Sequence, residues 1–306
     1  EGISCTGPTK TFTITINPAA QVDPVVSETL CDGDSTTSIT FTTSNSSGAT
    51  TYSWSNDNTS IGLVAAGSTD IGSFVVTNTS TIPQVATIVV TPTYTFNGKD
   101  CTGSPETFTI TVNPSAQTDQ PTSLIVCEDD IVSTINFTTL NTVGTTAYNW
   151  TNDNVNIGIS TANGTGDIGT FTALNSTSTP QVATITVTPT FTYNSIPCVG
   201  TPKIFTITVN PSAQVDPIIS PTVCAGDLIS AINFSTLTTL GTTTYSWINS
   251  NTSIGSISAS GTGNIPAFSA TNTSTIPQIA TIVVTPTFTY NGKTCTGNPE
   301  TFQITV

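Results

Sequence analysis

The chain has 306 residues, and eighteen acidic residues against four lysines (Lys10, Lys99, Lys203 and Lys293) give it a formal net charge of −14. A surface of that sign is repelled by nucleic acid and by anionic lipid headgroups, which excludes both as partners. With no His, general acid–base work would fall to a carboxylate or a tuned lysine; charged residues at 7% are too few for the high-charge disordered class.

Three markers recur in step along the chain. FTITINP begins at Phe12 and FTITVNP at Phe108 and Phe205; the tryptophans are Trp54, Trp150 and Trp247; PQVATI or PQIATI begins at Pro83, Pro180 and Pro277. The steps are 96 or 97 residues, the size of one small domain rather than of a solenoid turn or a propeller blade. The expected organisation is a last strand of a preceding repeat over 1–17, then β-sandwich repeats over 18–113, 114–210 and 211–306.

The second repeat shows the expected elements in chain order. PSAQTDQP suits an edge strand or linker, because its prolines would interrupt a central ladder. SLIVC follows, then the acidic turn Glu128–Asp130. In STINFTT, Ile135 and Phe137 alternate with Asn136 and Thr138, the period of a half-buried strand. AYNW puts Tyr148 and Trp150 on one face, and GTFTALN alternates again. QVATITVTPTFTY is the longest strand, with Ala183, Ile185 and Val187 opposing Thr184 and Thr186. KIFTITVN closes the unit, Phe205, Ile207 and Val209 sharing a face. About seven short strands with turn signals and no helical apolar period predict an all-β fold of tandem immunoglobulin-like antiparallel sandwiches arranged end to end. One Trp in the same strand of each copy reads as a core plug rather than a sugar-stacking platform.

The seven cysteines form two classes: Cys5, Cys101, Cys198 and Cys295 before the FTITV strand, and Cys31, Cys127 and Cys224 after it. Periodic cysteines without His, and without the close clustering of a zinc site, imply disulfides in an oxidising compartment. The default is intradomain pairing, Cys31–Cys101, Cys127–Cys198 and Cys224–Cys295, with the partner of Cys5 outside the fragment. Two alternatives stay open. Stacked repeats would bring Cys31 to Cys198 and Cys127 to Cys295, since a ten-residue strand separates the two cysteines of one sandwich by about 33 Å. A hairpin about Pro114 would instead join Cys101 to Cys127.

The recurrent acids Asp32, Asp34, Glu128, Asp129, Asp130 and Asp227 are candidate calcium ligands, yet their number drifts between copies and solvated turns are the better reading. The NDN turn drifts too, Asp57 and Asp153 corresponding to Ser250. No carboxylate pair or glycine-rich phosphate loop recurs, so no catalytic residue, cofactor or enzyme activity is expected. Asn-x-Ser/Thr sequons occur at Asn45, Asn58, Asn78, Asn136, Asn175 and Asn272. No run of 18 apolar residues is present to span a bilayer as a helix.

TYSW, the NTSIG and GTG turns, ATIVVTPT and NGKxCTGxPETFTITVNP together resemble the PKD-like repeats of Bacteroidota surface proteins, the long arrays of gliding-motility adhesins exported by the type IX secretion system. The resemblance covers the whole chain. It implies an extracellular stalk or filament on the outer cell surface, with no catalytic residues to carry over. The expected partners are neighbouring repeats, with surface glycans or self-association into a fibre as alternatives.

Overall fold

The computed structural model describes residues Glu1–Val306, and its regular elements are strands apart from three single-turn 3-10 helices. Two compact units account for the chain. One comprises Glu1–Gln117, Thr139–Thr146 and Thr190–Gly200; the other comprises Thr118–Thr138, Ala147–Pro189 and Thr201–Val306.

In the first unit the main sheet runs from an opening strand (Glu28–Cys31) to a closing strand (Glu106–Asn113). It continues through a long strand (Gln84–Phe96) and a tryptophan strand (Ala49–Asn56) to the short Ala66–Gly67. Opening and closing strands are parallel and the other pairs antiparallel. The period-two alternation puts Ala86, Ile88 and Val90 on the same face as Phe108, Ile110 and Val112, and all six are buried. Each large apolar side chain so buried contributes about 1.5–3 kcal/mol of transfer free energy. The long strand changes partner at Pro92: Gln84–Val90 pairs with the closing strand, whereas Thr93–Phe96 pairs with a hairpin strand, Lys99–Thr102. Proline offers no N–H to a ladder, and the Pro92 carbonyl accepts instead from the Gly103 N–H at 3.0 Å.

The second unit repeats this plan. Its first closing strand, Lys203–Asn210, lies between Gln181–Val187 and the parallel opening strand Leu124–Cys127. A further sheet joins Thr242–Asn249, Ile279–Tyr290 and Glu300–Thr305, with Ser260–Thr262 and the hairpin strand Lys293–Thr296 at its margins. Facing these sheets are much shorter pairings: Ile131–Val132 with Phe171–Thr172, and Leu228–Ile229 with Phe268–Ser269.

STINFTT differs from its expectation. Ile135 and Phe137 do turn inward, but pairing shrinks to one bridge, Ile135 to Ile168. The Phe137 N–H, a donor a ladder would use, is taken by the Asp167 carboxylate at 2.8 Å. Asp70 and Asn264 do the same to the Phe41 and Phe234 N–H groups, at 3.0 and 2.9 Å.

Each apolar cluster is built around one indole, Trp54 in the first unit and Trp150 and Trp247 in the second. Each ring lies against a glycine of the neighbouring strand. A Cβ on Gly67, Gly164 or Gly261 would sit 2.4, 2.2 or 2.3 Å from the facing Trp ring. The indole therefore needs a residue without a side chain beneath it.

Candidate functional site

The dense chemistry of the chain lies around its cysteines. In the first unit Cys31 is bonded to Cys198, and in the second Cys127 is bonded to Cys295; the Cα atoms are 5.5 Å apart in both. The default pairings Cys31–Cys101, Cys127–Cys198 and Cys224–Cys295 are therefore overturned, as is the Cys101–Cys127 hairpin. The register of the first sheet gives the reason. Cys31 pairs with Asn113, near the Gln84 end of the long strand, whereas Cys101 pairs with Tyr94. Ten residues of strand, about 33 Å, separate those positions, and a disulfide tolerates about 7 Å between Cα atoms. The opening strand of one copy instead meets the hairpin of the next. Cys5 and Cys224 are free and exposed, and Cys101 is free and half-buried.

The turn after each opening strand positions its cysteine. The Asp34, Asp130 and Asp227 N–H groups donate to the carbonyls of Cys31, Cys127 and Cys224 at 3.0–3.1 Å. Their carboxylates accept in return from the same three cysteines' N–H groups, at 2.9, 2.8 and 2.8 Å. The residue before each acid, Gly33, Asp129 or Gly226, has positive φ. The hydrogen bond from the Cys127 N–H, assisted by Lys293 3.3 Å away, holds the Asp130 carboxyl below the usual carboxylate range against a smaller opposing effect of burial. The remaining candidate calcium ligands point to separate partners. Asp32 accepts from the Asn78 N–H at 2.7 Å and the Ser115 hydroxyl at 3.1 Å, and Glu128 from the Ser212 N–H at 3.1 Å. No three groups able to hold a metal ion come together.

Two further residues per junction escaped the sequence reading. Asn113 and Asn210, fully buried at the ends of closing strands, donate through Nδ2 to the Tyr193 and Tyr290 carbonyls in the next hairpin, at 3.0 and 3.2 Å. Asn17 does the same to the Phe96 carbonyl at 3.2 Å. Gly103, Gly200 and Gly297, each two residues after a hairpin cysteine, approach the linker so closely that a Cβ would fall 1.9, 1.8 and 1.6 Å from the Ala20, Ala116 and Ala213 carbonyl oxygens. Their recurrence in step, Asn before Pro and Gly two after Cys, was the available signal. A second contact braces each junction: Asn141 Nδ2 donates to the Thr81 carbonyl at 3.3 Å in the first unit, and the Thr239 N–H to the Ser178 carbonyl at 3.0 Å in the second.

The NDN turns are structural as well. Asp57 and Asp153 accept from the Thr87 and Thr184 N–H groups at 2.6 Å, and Ser250 replaces them by accepting from Thr281 at 2.8 Å. Two sequons are closed to modification as folded: Asn78 and Asn175 are buried, and the Nδ2 of each donates to two backbone carbonyls.

The search of curated proteins gave no match. Among solved structures, mouse cadherin-23 EC22-24 is similar at 15% identity and TM-score 0.41, covering 94% of this chain and 98% of that one. The three N-terminal domains of the bacteriophage RB49 Hoc capsid protein match at 14% identity and TM-score 0.42, covering 94% and 97%. The I9-I11 tandem of titin matches at 11% identity and TM-score 0.29, covering 94% and 97%. The PKD-like domain family matches residues 28–116 and again 124–213, more than half the sequence, and the chain belongs to that family.

Proposed function

We propose that this chain is a non-enzymatic, tension-bearing segment of a bacterial surface adhesin stalk, its repeats spanning 18–113, 114–210 and 211–306 with a preceding repeat's last strand over 1–17. The extracellular setting rests on the bridges, which persist in oxidising compartments. Gliding motility and export by the type IX system enter through the sequence resemblance alone.

The observation that carries the reading is the bridge connectivity. Cys31–Cys198 and Cys127–Cys295 enclose overlapping stretches of chain, each joining one copy to the next. With both closed, the shortest covalent path runs from residue 1 to Cys31, across to Cys198, back to Cys127, across to Cys295 and on to residue 306. That path is about 110 residues long in place of 306. A stalk so wired gains far less length when a sandwich opens than an unbridged chain would.

Pulling single chains by their two ends tests this. Oxidised chains should stop extending at about 400 Å, and chains held in reductant should reach about 1,100 Å, taking about 3.6 Å per residue. Oxidised chains whose sandwiches open at trivially low force would sink the proposal, since a stalk must resist before it yields.

A further inference from the structure

We propose that Asn163 is an N-glycan acceptor, opened to a glycosyltransferase by a margin strand that the neighbouring tryptophan does not hold. Asn163–Thr165 is both an Asn-x-Thr sequon and the margin strand of the second copy's main sheet, paired on one side with the tryptophan strand Thr145–Asn152. Such sequons accept glycans at the surface of secreted chains. Asn163 and Thr165 are exposed, and neither side chain makes a hydrogen bond. The fold does not call for asparagine here, since Ala66 and Ser260 hold the same place in the other copies.

The other sequons serve the fold. Asn58 and Asn251 cap 3-10 turns, and their Nδ2 groups donate to the Val85 and Ile279 carbonyls at 3.0 and 3.2 Å. Asn154 makes the same contacts within Asn-Val-Asn, which is no sequon, so the turn requires the asparagine whether or not a glycan could follow. Asn78, Asn175 and Asn272 each give Nδ2 to two backbone carbonyls, and Asn45 gives its own to Ala19. Asn136 and Asn233 are exposed, but the Thr138 and Ser235 hydroxyls that a transferase must read donate to Asp119 and Asp216. Asn149 lies in the tryptophan strand itself, between two paired neighbours.

A second observation sets Asn163 apart from its counterparts. Trp54 Nε1 donates to the Thr69 carbonyl at 2.8 Å and Trp247 Nε1 to the Gly263 carbonyl at 3.1 Å, each acceptor two residues past the margin-strand glycine. Trp150 Nε1, equally buried, has no partner. Gly166, the equivalent residue, keeps the N–H bond to Tyr148 that Gly263 makes to Tyr245, both at 2.9 Å, and lacks the indole bond. The Asn163 strand therefore lifts from its sheet with one bond fewer to break. A transferase needs that freedom, because it must draw the sequon out of the ladder to reach amide and hydroxyl together.

Transfer joins Asn163 Nδ2 to the anomeric carbon of an oligosaccharide carried on a polyprenyl pyrophosphate. The sugar–phosphate C–O bond breaks, the lipid pyrophosphate leaves, and a carboxylate of the transferase takes one Nδ2 proton.

The test incubates the folded, oxidised chain with an oligosaccharyltransferase and a polyprenyl-pyrophosphate chitobiose donor, and maps glycopeptides by mass. Asn163 should be modified first, with Asn58, Asn78, Asn175, Asn251 and Asn272 untouched until the chain is reduced and denatured. Thr165→Ala should abolish transfer to Asn163, and Thr165→Ser should keep it. Ser260→Asn puts the same sequon on the third copy's margin strand, beside a bonded indole, and should be modified about fivefold more slowly than Asn163, as expected for one ordinary hydrogen bond. Three results would each overturn the proposal: Asn163 modified only after denaturation, the pinned sequons modified as fast as Asn163, or equal rates at positions 163 and 260.

Discussion

Within the second unit, the opening strands before Cys127 and Cys224 contrast sharply. The first is a four-residue strand in parallel register with Ile207–Asn210; the second is a single bridge from Thr222 to Thr305, flanked by hydrogen bonds at Pro221 and Val223. Two differences accompany this. Cys127 is bonded and Cys224 is free, and Pro221 stands three residues before its cysteine where Leu124 stands in the other copy. The turn that follows makes the same two cysteine–aspartate hydrogen bonds in both, so these do not depend on the bridge. The contrast suggests a division of labour. The acid at Cys+3 aims the cysteine, and the bridge together with an unbroken ladder fixes the strand.

Removing the bridge breaks the comparison most directly. Cys127→Ser with Cys295→Ser should destabilise the second unit by about 3–5 kcal/mol in the chain-entropy picture, read from denaturant midpoints. It should also raise amide exchange over Leu124–Cys127 toward that of Thr222–Cys224. Unchanged exchange would assign the difference to Pro221 alone. Next in size is Gly297→Ala. The added Cβ meets backbone on the linker at 1.6 Å from the Ala213 oxygen, and the forced shift should cost about 2–3 kcal/mol while slowing Cys127–Cys295 closure in refolding assays.

How much of this was legible follows from whether the signal is local. The alternation of FTITV names the buried face because side-chain direction in a strand is fixed by the chain itself, and Phe108, Ile110 and Val112 are buried accordingly. The cysteine partners are not local: they depend on which end of a ten-residue strand each thiol occupies and on how one copy meets the next. The physical objection to intradomain pairing was available from strand length, but choosing the junction required the register. The acidic turns failed differently. Counting carboxylates made them appear to drift, whereas the acid at Cys+3 recurs every time and is the one that binds the cysteine N–H.

Asn210→Ala sharpens the same junction without touching a thiol. It removes donors to the Tyr290 and Lys293 carbonyls, at 3.2 and 3.4 Å, and should cost about 1–2 kcal/mol, with the Cys127–Cys295 bond retained on peptide mapping. The pH dependence has a definite sign. The Asp130 carboxyl titrates lower when folded, chiefly through the Cys127 N–H and next through Lys293. Its contribution is therefore complete above the ordinary carboxylate range and fades as the pH falls through and below it. Asp130→Asn should flatten the acid limb of a stability–pH curve for the second unit; an unaltered limb would mean that other carboxylates govern it.

The smallest effect comes from the turn itself. Asp129 holds φ at 66° where the equivalent positions are Gly33 at 87° and Gly226 at 95°. A residue with a Cβ pays steric strain in that region, and Asp tolerates it better than most through its short polar side chain. Asp129 has no hydrogen bond through its carboxylate to set against the strain, unlike its neighbours Glu128 and Asp130. Asp129→Gly relieves the strain but enlarges the unfolded ensemble, and the two effects oppose each other. Relief should win narrowly, stabilising the second unit by less than about 1 kcal/mol with the Cys127–Cys295 bond unchanged. A loss of stability would show that the copies with glycine gain nothing from it, and that the turn is held by its Cys+3 acid alone.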